Sequence, residues 1–391
     1  MNQPATIQLT DRAVRDAVID QLASNLPLSV EGYTCTTEMV LDVLIKAAVT
    51  GKTVEAVCQE LQDVATSNTI RSYLNEQIRA DGLAELERRV NAALVADIPA
   101  QVWARTWDVA LDFHDEPFYG QSPELLAYAC GGEAQAGTTR FYRTATAYVI
   151  AKGVRVTLAL LFVSPADTTP EILASLIRRL HILGLRVRRL LLDKGFCTIP
   201  VLRVLQASGW SAIVACPIRG KKGGTKALCR GPHSYRTQHT FRSQEYGTFT
   251  ADVVVVRTST THKRRKRGPR RLHWLLYVVF RCDELSIRQI RRLYRRRFGI
   301  EANYRCMRQV RAWTTSRNPA LRFLLIALGF ILVNLWQTLR WYYCQALKRK
   351  GRQLVTKRFD LQRMASFLNH AIEARYGVVT FIEAQAPPLR T

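Results

Sequence analysis

No two cysteines in this chain form a C-x-x-C pair, and its nine cysteines and seven histidines do not cluster at zinc-finger spacing. A structural zinc site is therefore not expected. The odd, scattered thiols read as reduced cysteines of a cytoplasmic protein. There is also no G-x-G-x-x-G loop and no G-x-x-x-x-G-K-[ST] loop, so nucleotide-binding folds lack motif support and no nucleotide cofactor is expected. The N-terminal stretch MNQPATIQLTDRAVRD has no basic region followed by an apolar run, so no signal peptide is read. The most hydrophobic segment, FLLIALGFILVNLW at 323–336, has 14 residues, and a membrane span needs about 20. It is expected as a buried core helix, with no membrane partner.

Acids are scarce too. Against 57 Lys and Arg stand 31 Asp and Glu, a net charge of +26 on 391 residues. That excess opposes compaction, and a polyanion relieves it. With 48% apolar residues the chain can still bury a large core. This sets it apart from small basic packing proteins and points to a folded protein acting on nucleic acid.

Along the chain, residues 1–98 are expected as a helical domain. VLDVLIKAAVTG is a helix closed by Gly51, and TVEAVCQELQDVATSNTIRSYLNEQI (53–78) predicts helix, turn and helix, capped near Ser67 or Asn68. Arg71, early in the second helix, is a DNA-contact candidate of a helix-turn-helix reader. Two ordinary packed helices fit the same pattern. From 99 to 216 the order is strand, strand, strand, helix, strand, helix, strand. TWDVALDFHDE begins it, RFYRTATAYVIAKGVRVTLALLFV (140–163) makes two strands hinged at Lys152-Gly153, and RVRRLLLDKG ends at Asp193. A mixed α/β sheet follows. Residues 217–283 predict a mostly β insertion carrying the basic block THKRRKRGPRR, whose Arg264, Arg265 and Arg267 are DNA-contact candidates. Residues 284–347 are helical, and 348–391 are a helix and a tail.

Asp112, in VALDFHD, and Asp193, in LLLDKG, each lie on or just beyond an apolar β run, where an acid is costly to bury alone. Each could be a simple end-of-strand cap; neighbouring strands would instead make them converge. In YRRRFGIEANYRCMR (294–308), steps of three, four and seven residues separate Tyr294, Arg297, Glu301 and Arg308, which a 3.6-residue helix keeps near one face. Three carboxylates with few histidines make a hard oxygen site suited to Mg²⁺ or Mn²⁺, and Tyr294 and Arg297 suit phosphate. The plainer alternative is that Glu301 pairs with Arg297, Arg305 or Arg308 on an exposed helix. Asp108 shares the strand face of Asp112, and Asp115 is the fallback for it. Asp283 and Glu284 are explained as helix-start residues.

The sequence resembles the DDE transposases of bacterial and archaeal insertion sequences, within the cut-and-paste group with a β-rich insertion in a ribonuclease H-like fold. That group carries Tyr, two residues, Arg, three residues, Glu, six residues, Lys. Here these are Tyr294, Arg297 and Glu301, with Arg308 in place of the lysine. The 108 positions from Asp193 to Glu301 leave room for the insertion. The resemblance implies a ribonuclease H-like mixed sheet flanked by helices. It implies catalytic and metal-holding roles for Asp112, Asp193 and Glu301 with two Mg²⁺ ions (Mn²⁺ able to substitute), and grip on the DNA backbone by Tyr294, Arg297 and Arg308. It further implies double-stranded DNA as partner, at least a dimer on DNA, hairpin-ended intermediates, and an insertion aromatic stacking on a flipped base. Trp274 is a candidate for that stack, or else a core residue. A stand-alone nuclease on the same sheet, and a non-catalytic domesticated DNA-binding protein, are the rival readings.

Overall fold

The computed structural model describes residues 8–151, 154, 156–220, 223–260, 271–348, 351–355 and 357–381. The basic residues Arg264, Arg265 and Arg267, and the expected hinge at Lys152-Gly153, lie outside the described residues. The chain packs as two compact units, residues 1–98 with 305–391, and residues 99–304. The segment 284–347, expected as one part of a catalytic core, is thus divided between them inside a helix.

The first unit opens with α1 (Asp11–Asn25), α2 (Thr37–Thr50), α3 (Val54–Glu60), α4 (Ser67–Gln77) and α5 (Leu83–Val95). Hydroxyl caps begin four of them: Thr10, Thr36, Thr53 and Thr66 each accept a backbone N–H three residues on. The cap of the second helix of the helix–turn–helix stretch is therefore Thr66, one residue before the expected one, because its hydroxyl takes the Thr69 N–H. Gly51 closes α2 in the left-handed region, at φ 67°, where a side chain would be strained.

The second unit begins with α6 (Ala100–Trp103) and β1 (Thr106–Pro117), followed by α7 (Pro123–Leu126), β2 (Cys130–Gln135), β3 (Thr138–Ile150) and β4 (Thr157–Val163). Next come α8 (Thr169–Ile182), β5 (Arg186–Leu192), α9 (Ile199–Ser208) and β6 (Ala212–Cys216). The insertion supplies β7 (Tyr235–Ser243), β8 (Gly247–Thr260) and β9 (Arg271–Phe280), and α10 (Ile287–Arg295) and α11 (Gly299–Gln309) follow. Among the described residues these strands form one nine-stranded sheet in the order β2-β3-β1-β5-β6-β9-β8-β7, with β4 also on β3. β3 is antiparallel to β1 and β4, and β1, β5 and β6 run parallel to one another. This is the mixed sheet flanked by helices that the resemblance implies. The apolar run Leu190–Leu192 is fully buried in the middle of it, as a central parallel strand must be.

The insertion does not form a sheet of its own. β9 pairs antiparallel with β6, from Ala212↔Phe280 to Cys216↔Leu276, so β9, β8 and β7 continue the main sheet.

After α11 the chain returns to the first unit with α12 (Pro319–Tyr343), β10 (Gln345–Lys348), β11 (Gly351–Leu354) and α13 (Leu361–Tyr376). The β10–β11 hairpin stands where only a helix and a tail were expected; the stretch is too short and too charged to alternate. Among the described residues α12 is the one helix long and apolar enough to cross a membrane, and 94% of its apolar window is buried inside the protein. It is the expected core helix. Its polar residues are tied within the unit, Asn334 Nδ2 to the Leu94 carbonyl at 2.8 Å and Thr338 Oγ1 to the Asp97 carbonyl at 3.0 Å.

Gly329 lets α12 approach the end of α11. A Cβ there would sit 3.1 Å from the Met307 carbonyl oxygen and 3.2 Å from that of Val310. Gly→Ala in a helix ordinarily stabilises by about 1 kcal/mol. Here the clash with two backbone oxygens reverses the sign, and Gly329→Ala is expected to destabilise by about 1–3 kcal/mol. A urea melt checks it: a midpoint equal to or above that of the wild type would refute the close approach.

Candidate active site

The parallel register of β1 and β5 pairs Leu111 with Leu192. The next residues are Asp112 and Asp193, so the two aspartates emerge side by side where β5 stops. That is the carboxyl edge of parallel strands, where open α/β sheets form their binding crevices. Asp112 remains in the sheet, opposite Thr146 of β3. Its neighbours divide by strand parity. Asp115 points to the other face and is held by two guanidinium nitrogens of Arg143, Nε at 2.7 Å and Nη2 at 2.9 Å. Asp108 is buried four residues earlier, with Arg189 at 3.9 Å.

The third acid arrives on α11, and not by a continuous α-helix. α10 ends at Arg295, a 3₁₀ turn spans Arg296–Phe298, and α11 starts at Gly299. The expectation of one helical face from Tyr294 to Arg308 is corrected in this respect. Glycine is the weakest helix former after proline, and 3₁₀ turns are frequent at such junctions. The tightened turn directs Arg297 inward. Only 5% of Arg297 is exposed. Its guanidinium lies 2.9 Å from Asp112 Oδ2, 3.0 Å from Glu301 Oε1 and 3.6 Å from Asp193 Oδ1. One cation thus joins all three carboxylates. The alternative that Glu301 pairs with Arg297 is realised, but in a partly buried cluster and not on an open helix.

Tyr294, at the end of α10, is buried, with its hydroxyl 3.5 Å from Asp193 Oδ1 and its ring 4.8 Å from that of Tyr277. Arg308 is exposed on α11 and Trp274 is half-buried on β9 opposite Arg257. Arg71 is exposed on α4 and engaged by Asn68 Oδ1 at 2.5 Å, with Glu55 at 3.7 Å. Four positions that the sequence reading passed over hold the site in place. The Tyr304 hydroxyl shares a 2.6 Å hydrogen bond with Thr146 Oγ1, and Asn303 Nδ2 donates to Thr157 Oγ1 at 2.9 Å. These bonds fix α11 on β3 and β4 just beyond Glu301. The ring of His114, itself 2.8 Å from Glu116 Oε1, stacks on Tyr304 at 5.0 Å. The available signal was parity: Asp112, His114 and Glu116 alternate along one face of β1.

Burial pushes the Asp112 carboxyl up to about 6, a rise that the adjacent Arg297 only partly offsets. Burial also works against the charge on Arg297, yet Asp112 foremost, with Tyr294, Asp193 and Glu301, holds it protonated beyond the ordinary arginine range. The Tyr294 and Tyr304 hydroxyls are pushed up by burial, so they act as hydrogen-bond donors near neutrality. Several buried polar atoms have no hydrogen-bond partner among the described residues, and two of them belong to the cluster itself: Glu301 Oε2 and Arg297 Nε. Among the described residues no group of three or more His, Cys, Asp or Glu is arranged to hold a metal ion as it stands. The guanidinium lies among the acids instead.

Comparison with known proteins finds one family and solved structures similar to this chain. Residues 142–335 match the family described as the transposase DDE domain. That range contains Asp193 and Glu301, and Asp112 precedes it. Over that range the chain is similar to a transposase DDE domain. Among solved structures, the piggyBac transposase synaptic complex with hairpin DNA is similar, with a TM-score of 0.54 at 11% identity, covering 97% of this chain and 84% of that one. At that identity the likeness is one of fold. No curated protein matches the sequence.

The raised Asp112 predicts a sign for the metal-free protein. A folded-state value near 6 against an unfolded 3.8 means that the folded protein holds a proton that the unfolded chain releases. The resulting stability is full below about pH 4 and is lost as pH rises through about 6, worth about 3 kcal/mol in all. Measured against Asp112→Asn in chelator, the wild type is expected to lose ground by that amount between those limits. A pH-independent difference would refute the assignment.

Proposed function

We propose that this protein is a DNA transposase that binds terminal inverted repeats, cuts the element free and joins its ends to target DNA by a cut-and-paste route. The observation that carries this is the meeting of Asp112, Asp193 and Glu301 around one buried cation at the carboxyl edge of β1 and β5, in a chain similar to a transposase DDE domain over residues 142–335.

The donor set suits a hard divalent ion. All three acids offer oxygen, and Glu301 Oε2 is buried with no partner among the described residues. Asp112, Asp193 and Glu301 would hold Mg²⁺, with Mn²⁺ able to substitute, as a pair of ions. Such ions, when bound, activate a water or a 3′-hydroxyl and stabilise the leaving oxygen. Arg297 and the metal are alternative counter-charges for the same carboxylates. The guanidinium keeps the acids gathered without metal, and its planar fork suits a phosphate when they are otherwise neutralised. Tyr294 keeps its proton and can donate to a backbone phosphate beside Asp193. Arg308, Arg71 and the block with Arg264, Arg265 and Arg267 add charge for the duplex, and Trp274 offers an aromatic face to an unpaired base. Joining two ends calls for at least two copies on DNA, in the cytoplasm where the DNA lies.

This arrangement can be tested at the acids and at the arginine. On a duplex ending in the element's own inverted repeat, Mg²⁺ is expected to support cutting and joining that EDTA abolishes. Glu301→Gln is expected to lose cleavage by about 10³-fold or more and to keep its affinity for the duplex. Cutting without joining would favour a stand-alone nuclease, and tight binding with no cutting under either metal would favour a non-catalytic DNA-binding protein. At the arginine, Arg297→Gln is expected to lower the stability of the metal-free protein by about 3 kcal/mol. This is the lower end for breaking a buried pair, since Asp193 and Glu301 keep some solvent. Mg²⁺ should then raise the melting temperature of the variant more than that of the wild type. Equal shifts in the two proteins would count against a shared role as counter-charge.

A further inference from the structure

The outer side of α10 carries Arg288, Arg291, Arg292, Arg295 and the following Arg296, and these five arginines alone line an open recess of about 750 Å³. Arg288, Arg292, Arg295 and Arg296 are exposed and Arg291 is half-buried. None of the five has a carboxylate partner among the described residues. Within the same helix they stand three or four positions apart, where like charges repel. The helix dipole accounts for arginine in the last turn, but not for Arg288 in the first turn, next to the positive end. A capping box between Ser286 and Gln289 holds that end in place, so the helix is kept formed despite the repulsion. Five unpaired guanidinia on one ridge therefore await a ligand with repeated negative charge.

The inner side of the same helix gives Ile290 and Tyr294 to the interior, and the 3₁₀ turn after it delivers Arg297 to the three acids. The arginine ridge faces away from Tyr294, so a phosphate held there is not the one beside Asp193. The ridge also faces solvent as a row, which suits evenly spaced charges better than a compact anion.

We propose that the outer face of α10 is a second DNA-binding surface, which holds double-stranded DNA by its backbone phosphates, without reading sequence, at a stretch away from the reacting bond. This rests on the transposase reading and extends it. Arg288, Arg292 and Arg296, at successive steps of four, contact successive phosphates. Arg291 and Arg295 flank them. Because the same short helix ends at Arg297, duplex held on the ridge is fixed in orientation relative to the carboxylates.

The test uses the full chain and a duplex of arbitrary sequence, in EDTA so that nothing is cut. Affinity is followed through a salt titration for the wild type and for Arg288→Gln/Arg292→Gln/Arg296→Gln. Each phosphate contact contributes about 0.9 to the slope of log K against log salt, so the triple variant should lose about two to three from that slope. The matching triple lysine variant should restore it. A control removes three exposed arginines elsewhere, Arg12, Arg79 and Arg88, with side-chain exposures of 88%, 67% and 63%. An unchanged slope in the glutamine triple, with the wild type binding normally, would overturn this surface and leave the transposase reading standing. An equal loss in the control would overturn it as well, by assigning the effect to net charge. If the wild type failed to bind any duplex, the transposase reading itself would fall. Binding of anionic lipid vesicles through the ridge, with duplex affinity unaltered, would replace the partner and overturn the proposal.

Discussion

The candidate site depends on one guanidinium placed among three carboxylates. A charged group that is 5% exposed survives burial only where its partners are well aligned, and Arg297 has three. Several features of the fold serve that alignment. The β1–β5 register places two acids on adjacent strands. The 3₁₀ turn aims the arginine inward. Asn303 and Tyr304 fasten α11 to the sheet so that the third acid arrives at the right depth. Each element would be ordinary alone; their meeting point is electrostatically demanding.

The same arrangement gives the cluster two electrostatic states with one geometry of ligands. Three acids need positive charge whether or not a metal supplies it, and an internal cation removes the repulsion that would otherwise spread them. The bare Oε2 of Glu301 and the bare Nε of Arg297 are where this balance is incomplete. They mark a site whose hydrogen bonding is not saturated by the protein itself.

Much of this was legible in the sequence because it is written locally. An acid that ends an apolar β run, as in VALD and LLLD, signals itself by its cost, and the Tyr-Arg-Glu spacing suggested a shared face, which the 3₁₀ turn at 296–298 modifies. The apolar run of α12 was legible from its length, and Gly51 marked a helix end. What escaped was set by distant pairing. Nothing within residues 271–280 announces that β9 will join β6, nor that 305–391 will pack with 1–98. The tightening at 296–298 was hidden by residues with good helix propensity around it. Asn303 and Tyr304 looked like ordinary helix positions because Thr157 and Thr146, which they meet, lie far back along the chain, at separations of 146 and 158 residues. The role of Arg297 was half legible: its chemistry suggested phosphate, and only the packing shows the acids claiming it first.

The continuity of the sheet has a mechanical meaning. An inserted domain on a flexible tether samples many positions, whereas β9, β8 and β7 are joined to β6 by successive ladders of backbone hydrogen bonds. Each step across a sheet advances about 4.8 Å, so β7 stands about 14 Å beyond β6. The insertion is therefore a graduated arm of the central sheet. Whatever its last strand touches is held at a distance counted in strands from the edge where Asp112 and Asp193 emerge, and lengthening or shortening that reach would take the gain or loss of a whole strand.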